Sequence, residues 1–518
     1  MAVKLYSAQV VGLKGKIIDV EADLARGLAS FSIVGLPDKA VEESKERINS
    51  AIKNLGDEYE YPQKRNQRVT ISLAPADLKK EGPVFDLAIA LAYLLASKQI
   101  RFDPKKKLFL GELALGGAIR PIKGVLALTQ AAESAGFQEV FVPKENAEEA
   151  ALIKGIKVFG CSCLNELIAH LQGSACIKPQ KHTALDLTVC EAENLLDFSD
   201  IKGLETAKRG LEIAAAGGHN VAMIGPPGTG KTMLARAFPA ILPPLSFEEC
   251  LEVTGIHSVA GALTSPFLTH RPFRNPHHTA SYVAMVGGGA WPKPGEITLA
   301  HRGVLFLDEF PEFDKRVIEA LRQPLEDGVI TVSRARGSLR FPARFSMLCA
   351  MNPCPCGNLG SESKPCVCSQ SSILKYRRKM SGPIADRIDL WIEVPQIEHT
   401  KLSDQTLLGE SSASIQKRVI KAREIQNKRF SAKTMVKTHI LTNSEMTVRD
   451  LKAFVPISEN IKTILNQAAS KMNLSSRGYH RIIKIARTIA DLEGVADIKE
   501  NHILEALQYR PKIDILIY

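Results

Sequence analysis

The spacing of hydrophobic and polar positions changes several times along the chain. Over residues 1–170 short β-branched runs alternate with stretches of helical spacing, which predicts an α/β domain. The strand-type runs include Gly15-Lys16-Ile17-Ile18-Asp19-Val20-Glu21, Ser30-Phe31-Ser32-Ile33-Val34-Gly35 and Arg68-Val69-Thr70-Ile71-Ser72-Leu73. Residues 39–55 are apolar at Ala40, Ile48, Ala51, Ile52 and Leu55, the spacing of one helix face. Residues 85–96 are apolar all round, which predicts a buried helix. Residues 108–113 and 139–143 read as short strands around a helix at 124–135.

Periodicity stops at 173–192, where Gly173-Ser174 and Lys178-Pro179-Gln180-Lys181-His182 predict a linker. A helix at 205–217 follows. Val221-Ala222-Met223-Ile224 and Val304-Leu305-Phe306-Leu307 are then apolar at every position, as in strands buried on both faces of a parallel sheet. Arg344-Phe345-Ser346-Met347-Leu348-Cys349-Ala350-Met351-Asn352 is a third strand, ending in a polar amide. After 396 a polar stretch at 399–412 precedes helical spacing at 414–430, 444–454, 458–472, 476–493 and 499–508. The first of these helices is dense in Lys417, Arg418, Lys421, Arg423, Lys428 and Arg429, a charge run that reads as a solvated face or as added attraction for DNA. The expected organisation is an α/β domain at 1–172, a linker at 173–192, an α/β core at 193–395 and an α-helical lid at 396–518.

Composition narrows the class. The chain has 518 residues, 45% apolar and 24% charged, enough to bury several cores. No apolar run reaches the roughly 18–20 residues needed to span a bilayer. The first residues lack the apolar core of a signal peptide, so a cytoplasmic protein is expected. A formal charge of +11 suits a polyanionic partner and equally an ordinary soluble protein.

The chemistry centres on Gly225-Pro226-Pro227-Gly228-Thr229-Gly230-Lys231-Thr232, a G-x-x-x-x-G-K-T loop between a strand and a helical run. Glycines let the backbone N–H groups turn toward phosphate oxygens, and the following helix adds its dipole. Lys231 reaches the β/γ-phosphates and Thr232 ligates Mg²⁺. Asp308 and Glu309 close an apolar strand at the end where open sheets bind ligands. Asp308 holds Mg²⁺ and Glu309 orients the attacking water, as phosphoryl transfer requires.

Four of the ten cysteines fall within 354–368, as Cys354-Pro355-Cys356 and Cys366-Val367-Cys368. Four thiolates on one loop either close on Zn²⁺ or stand as redox-active thiols. His277 and His278 are adjacent, so they point in different directions and suit a structural role better than chelation. Residues 328–341 read as a hairpin, with Arg334, Arg336 and Arg340 placed either to grip DNA phosphates or to contact a neighbouring subunit.

Two resemblances add to this reading. Lys80-Glu81-Gly82-Pro83-Val84-Phe85-Asp86-Leu87-Ala88 and Gly111-Glu112-Leu113-Ala114-Leu115-Gly116-Gly117-Ala118-Ile119-Arg120-Pro121-Ile122-Lys123-Gly124-Val125 resemble the proteolytic domain of Lon proteases. The positions of that family's Ser–Lys dyad hold Val84 and Leu126, which implies a Lon-type fold without peptidase chemistry; a displaced dyad using Lys123 is the other reading.

The nucleotide loop, Arg271-Pro272-Phe273-Arg274-Asn275-Pro276-His277-His278-Thr279-Ala280-Ser281, Ala300-His301-Arg302-Gly303-Val304-Leu305-Phe306-Leu307-Asp308-Glu309 and Met351-Asn352-Pro353-Cys354-Pro355-Cys356-Gly357 together resemble the YifB/ComM family of Mg-chelatase-like AAA+ ATPases over the whole length. The resemblance implies Asn352 as a water-positioning sensor and Arg387 as a finger reaching a neighbouring subunit. It implies that Arg477, with Arg481 second, reaches the γ-phosphate from the lid. Residues 253–298 would be an insert projecting toward a ring pore. The implied protein is a hexameric ATP–Mg²⁺ motor acting on single-stranded and branched DNA, with recombination proteins as further partners. A chelatase ATPase subunit and a regulatory adaptor ATPase are the other readings.

Overall fold

The structure, a computed structural model, describes residues 2–510 apart from 65, 184–195, 290–292, 335–336, 361–363, 381, 397–408 and 432–439. Arg336, the second half of the expected linker and most of the polar stretch before the C-terminal helices lie outside the described residues. Two compact units emerge: Met1–Thr188 with Ser246–Thr269, and Val189–Leu245 with His270–Tyr518.

In the first unit Val3–Val11 and Lys14–Arg26 form an antiparallel hairpin, extended by Gln67–Ala74 and then by Ser30–Val34. Alternation in Gln67–Ala74 turns Val69, Ile71 and Leu73 into the core, the period-two pattern of a half-buried strand. A second sheet of Lys107–Phe109, Glu139–Pro143 and Lys157–Cys161 is wholly parallel. Phe109, Phe141 and Phe159 stack across it at centroid distances of 5.0 Å and 5.0 Å. The apolar run expected as a buried helix is Asp86–Ala96, and its polar first residue is satisfied: Asp86 accepts from Ser44 Oγ, from Arg47 Nε at 2.7 Å and from the Leu113 amide at 3.2 Å.

Ser246–Thr269 departs from the sequence expectation. Its helix Phe247–Ala260 lies within the stretch assigned to the nucleotide core and overlaps the proposed pore insert, yet it packs in the first unit. Cys250, Val253 and Ile256 are buried on it. Ser258 donates to the buried carboxylate of Glu149, which also accepts from the Leu126 amide at 3.0 Å. Burial drives the Glu149 carboxyl above its ordinary range, and those hydrogen bonds oppose the shift. A hydrophobic face and one buried hydrogen-bonded group fix this helix, and neither carries a signature that sequence spacing could assign to a partner. The part of the insert left in the second unit is the helix Tyr282–Val286, the pairing of Gly287–Gly288 with Lys293–Pro294, and the helix Glu296–Leu299.

The second unit is built on a five-stranded parallel sheet in the order Phe273–Arg274, Val304–Leu307, Ser346–Met351, Val221–Ile224, Leu390–Glu393. The two all-apolar strands are buried at every residue. The C-terminal helices expected to form a distinct lid pack into the same core as the sheet. Val419, Ala422, Ile482, Ile485 and Ile489 share one core with Leu211, Val221, Leu348 and Leu390. The basic helix Ser412–Ser431 also differs from a solvated charge run. Arg418 meets Glu212 at 2.5 Å, Arg423 donates to the Ala215 carbonyl at 2.8 Å, and Arg429 pairs with the buried Asp491. The buried acids Glu212 and Asp491 need such partners, while Lys417, Lys421 and Lys428 on the same helix stay exposed. Among the described residues no helix is long and apolar enough to cross a membrane.

Candidate nucleotide and metal sites

The glycine loop leaves the strand Val221–Ile224, which lies between two parallel neighbours. A β-carbon on Gly225 would stand 2.2 Å from the Val394 carbonyl oxygen, so only glycine lets the loop start there. Lys231, buried beside the loop, donates to the carbonyls of Gly225 at 2.6 Å and Pro226 at 2.8 Å, and to Asn352 Oδ1 at 3.3 Å. Burial pulls its pKa down and the Asp308 charge acts against that. The Thr232 hydroxyl donates to Asp308 Oδ2 at 2.9 Å, while Asp308 Oδ1 accepts from the Glu309 amide at 3.0 Å. Lys231, Thr232, Asp308 and Asn352 therefore converge at the carboxyl ends of three adjacent parallel strands, where open sheets bind ligands.

Beside them lies a cavity of 320 Å³ whose lining includes Gly225, Pro226, Asn352, Tyr376 and Val394. Burial raises the Tyr376 phenol to about 12.

Glu309 has a left-handed backbone, φ 52°, uncommon for a residue with a β-carbon. Its Oε2 stands 3.1 Å from His278 Nδ1. His278 follows the edge strand Phe273–Arg274, which pairs in parallel with the strand ending in Asp308 and Glu309. The sequence reading left this histidine without chemistry. The signal was present, because strand ends adjacent in a parallel sheet bring their next residues together.

The arginines fall in two groups. Arg387 pairs with Glu326 and donates to the Pro383 carbonyl at 2.7 Å, and Arg477 meets the same carboxylate at 3.3 Å. Glu326 is half exposed, and the Arg387 hydrogen bond holds its carboxyl below the usual range. Arg481 instead stands 3.3 Å from the buried Asp389 and donates to the Ile388 carbonyl at 3.0 Å. Of the two lid arginines it is thus Arg477 that shares a carboxylate with Arg387. Glu326 escaped the sequence reading because it sits in a short helix, Arg322–Asp327, with no motif around it.

The cysteines gather as the spacing allowed. All four Sγ atoms lie within 4.8 Å of one another, with Cys354 to Cys356 at 3.4 Å, Cys354 to Cys366 at 3.7 Å and Cys356 to Cys366 at 3.6 Å. Tetrahedral zinc with Zn–S bonds of roughly 2.3 Å implies S–S edges of about 3.8 Å, so the thiol set fits that ion. Amides of Asn358 and Val367 hold the Cys356 thiol down to about 6. The loop also presses on the nucleotide loop: Gly357, φ 81°, leaves no room for a β-carbon, which would fall 2.6 Å from Pro227 Cδ.

The expected hairpin pairs Val329–Arg334 with Gly337–Pro342 in antiparallel register, and Arg340 is exposed on it. In the first unit the Lon-type dyad positions are apolar: Leu126 is buried and Val84 packs against the core.

A parallel five-stranded sheet carrying a G-x-x-x-x-G-K-T loop, a threonine–aspartate pair, a terminal acid and a strand-end amide, closed by helices, defines an AAA+ ATPase core. Family models agree with this and cover most of the chain. Magnesium chelatase, subunit ChlI, matches residues 197–402, subunit ChlI of Mg-chelatase matches 20–146, and its C-terminal region matches 409–510. The chain is 42% identical over 516 residues to competence protein ComM of Haemophilus influenzae, covering 99% of this chain and 98% of the relative. Partial matches are to Lon protease of Mycolicibacterium smegmatis, 29% identical over 143 residues, 26% of this chain and 18% of the relative, and to the DNA replication licensing factor mcm-6 of Caenorhabditis briggsae, 23% identical over 340 residues, 61% and 38%. The chain belongs to the YifB/ComM family of magnesium-chelatase-like AAA+ ATPases. Membership implies ATP hydrolysis with Mg²⁺.

Proposed function

We propose that the protein is a competence-related DNA motor, a hexameric ring that hydrolyses ATP to drive branch migration during natural transformation or recombination. The observation that carries this reading is that the contacts gather these residues in two groups. Lys231, Thr232, Asp308, Glu309 and Asn352 form one, while Arg387 and Arg477 are gathered on the exposed Glu326. A pair of arginines held on a half-exposed carboxylate is suited to a neighbouring subunit's nucleotide, where a finger contributes about 10³–10⁵ in rate.

In this reading Lys231 binds the β/γ-phosphates and Glu309 orients the attacking water. Asn352 helps align that water. Thr232 and Asp308 would hold Mg²⁺, which neutralises phosphate charge when bound. Arg334, Arg336 and Arg340 contact DNA phosphates. The similarity to ComM and to the licensing factor supports a DNA substrate, as does the net charge of +11. Apolar residues at the dyad positions support a Lon-type domain without peptidase activity. Cys354, Cys356, Cys366 and Cys368 hold Zn²⁺, which would tie the loop between sensor and finger into one shape.

Branched-DNA unwinding by wild-type and Lys231→Ala protein tests the motor. Unwinding by the wild type and none by the variant is expected. ATP hydrolysis that no DNA alters would overturn the DNA reading in favour of a chelatase subunit, which the family descriptions favour.

A further inference from the structure

The chain that carries Arg387 turns from the short helix Gly382–Ala385 into the strand Leu390–Glu393. Main-chain carbonyls in that turn fall to neither the helix nor the sheet and need other partners. Side chains take two of them. Asn220 Nδ2 donates to the Arg387 carbonyl at 3.3 Å, and Arg481 Nη1 donates to the Ile388 carbonyl at 3.0 Å. Asp389 Oδ2 then accepts from the Asn220 amide at 3.1 Å, and the Asn220 carbonyl accepts from the amides of Asp389 and Leu390 at 2.9 Å and 3.0 Å. The other atom of the Asn220 side-chain amide is engaged as well: Oδ1 accepts from the Met347 amide at 3.0 Å.

One side chain thus joins three segments. Asn220 immediately precedes Val221–Ile224, the strand that feeds the phosphate loop. Met347 lies in the strand Ser346–Met351, which leads to Asn352. Arg387 is the residue read as the finger. Asn220 stands at the amino end of its strand, away from Gly225–Thr232, and its hydrogen bonds reach none of the groups that would meet its own subunit's nucleotide. An arginine delivers its guanidinium only as accurately as its main chain is held, and a misplacement of about 1 Å set up away from the chemistry can cost about 10²-fold in rate. We propose that Asn220 is a positioning residue for Arg387. Its side-chain amide fixes the main chain of the finger against the base of the strands that carry the same subunit's nucleotide site, and so acts on hydrolysis in the neighbouring subunit. This rests on the reading of Arg387 as a finger.

The test measures steady-state ATP hydrolysis by the full chain for Asn220→Asp, Asn220→Ala and Arg387→Ala, each alone and mixed one to one with Lys231→Ala. Binding of a non-hydrolysable ATP analogue and the melting temperature are measured on each. Asn220→Asp keeps an acceptor for the Met347 amide and sets an oxygen against the Arg387 carbonyl, so it strikes the finger arm. Asn220→Ala adds no charge beside Asp389, so a defect common to both is not one of electrostatics. Where Asn220→Ala is too unstable to assay, Asn220→Asp decides alone. The Asn220 variants should bind the analogue as wild type does and hydrolyse ATP about tenfold more slowly, the cost of one orienting hydrogen bond. In the mixture half of their phosphate loops face the unaltered finger of a Lys231→Ala subunit. The rate per Asn220-variant subunit should therefore rise about fivefold from that tenfold loss. A residue that only shapes its own phosphate loop would gain nothing from such a neighbour. No rise for the Asn220 variants where Arg387→Ala does recover would overturn the proposal, as would weakened analogue binding or a wild-type rate for Asn220→Asp. If Arg387→Ala does not recover either, the finger reading itself fails and the proposal with it.

Discussion

The Thr232 hydroxyl donates to Asp308 across 2.9 Å, joining the end of the phosphate loop to the end of a strand far along the chain. That bond aligns the two oxygen ligands that Mg²⁺ would use. Thr232→Val removes the hydroxyl at nearly constant volume. ATP hydrolysis should fall by about 10²–10³, the cost of losing one preorganised group at a charged transition state. Phosphate release measures it, and a melting temperature close to wild type would show that the fold is intact.

Glu326 carries both Arg387 and Arg477, so those arginines should act as a pair on one neighbour's nucleotide. Arg387→Ala should lower the rate by about 10³ or more. Mixing Arg387→Ala subunits with Lys231→Ala subunits should recover part of the activity, since some interfaces then hold both intact halves. No recovery in the mixture, with each variant forming rings, would place Arg387 in its own subunit's site. Glu326→Gln should weaken the positioning of both arginines and cost less than either alanine variant.

Asp389 should contribute to the acid limb of stability. Burial pushes its carboxyl up, but the Arg481 charge, with His219 beside it, outweighs this and holds it well below the usual carboxylate range. Its pKa is depressed on folding, so its contribution is complete above the unfolded value of about 3.9 and fades as pH falls below it. Asp389→Asn should cost about 3–5 kcal/mol near neutrality, because Arg481 is left partly buried without its counter-charge. The difference between variant and wild type should shrink toward pH 3. Denaturant melts across pH check both.

Zinc removal offers a separate test. Purified protein should contain about one zinc per chain, and Cys356→Ser or Cys366→Ser should lose it with a drop in melting temperature. The drop should come with slower ATP hydrolysis, because Gly357 rests on Pro227 of the phosphate loop. Zinc well below one per chain by elemental analysis would leave four reduced thiols as the correct description.

Replacing Arg334, Arg336 and Arg340 by alanine should weaken DNA binding without regard to sequence. The slope of log affinity against log salt should shrink by up to about 0.9 per lost phosphate contact on duplex DNA. An unchanged slope would return the hairpin to a contact between subunits.

The local chemistry was legible in the residues themselves. A strand of four apolar residues followed by G-x-x-x-x-G-K-T has few other uses, and apolar runs buried on both faces announce a parallel sheet. The paired C-x-C motifs lie on one loop, so their meeting needs no distant partner. These features are encoded by near neighbours or by a period.

Three relations were not legible. Helix Phe247–Ala260 belongs with the first unit because Glu149 and a hydrophobic face capture it, although the chain on both sides of Ser246–Thr269 belongs to the second. The cations of Ser412–Ser431 read as a solvated face; Lys417, Lys421 and Lys428 are exposed, while Arg418 and Arg429 turn to the buried acids Glu212 and Asp491. His278 read as one of two histidines without a task until the parallel register of Phe273–Arg274 with Val304–Leu307 set it beside Glu309. Sequence alone pointed to the residues proposed for phosphate and metal chemistry, since that chemistry depends on residue type and short spacing. Tertiary structure decided which of them meet, because partner choice between distant segments depends on burial and strand register, and neither is written in local order.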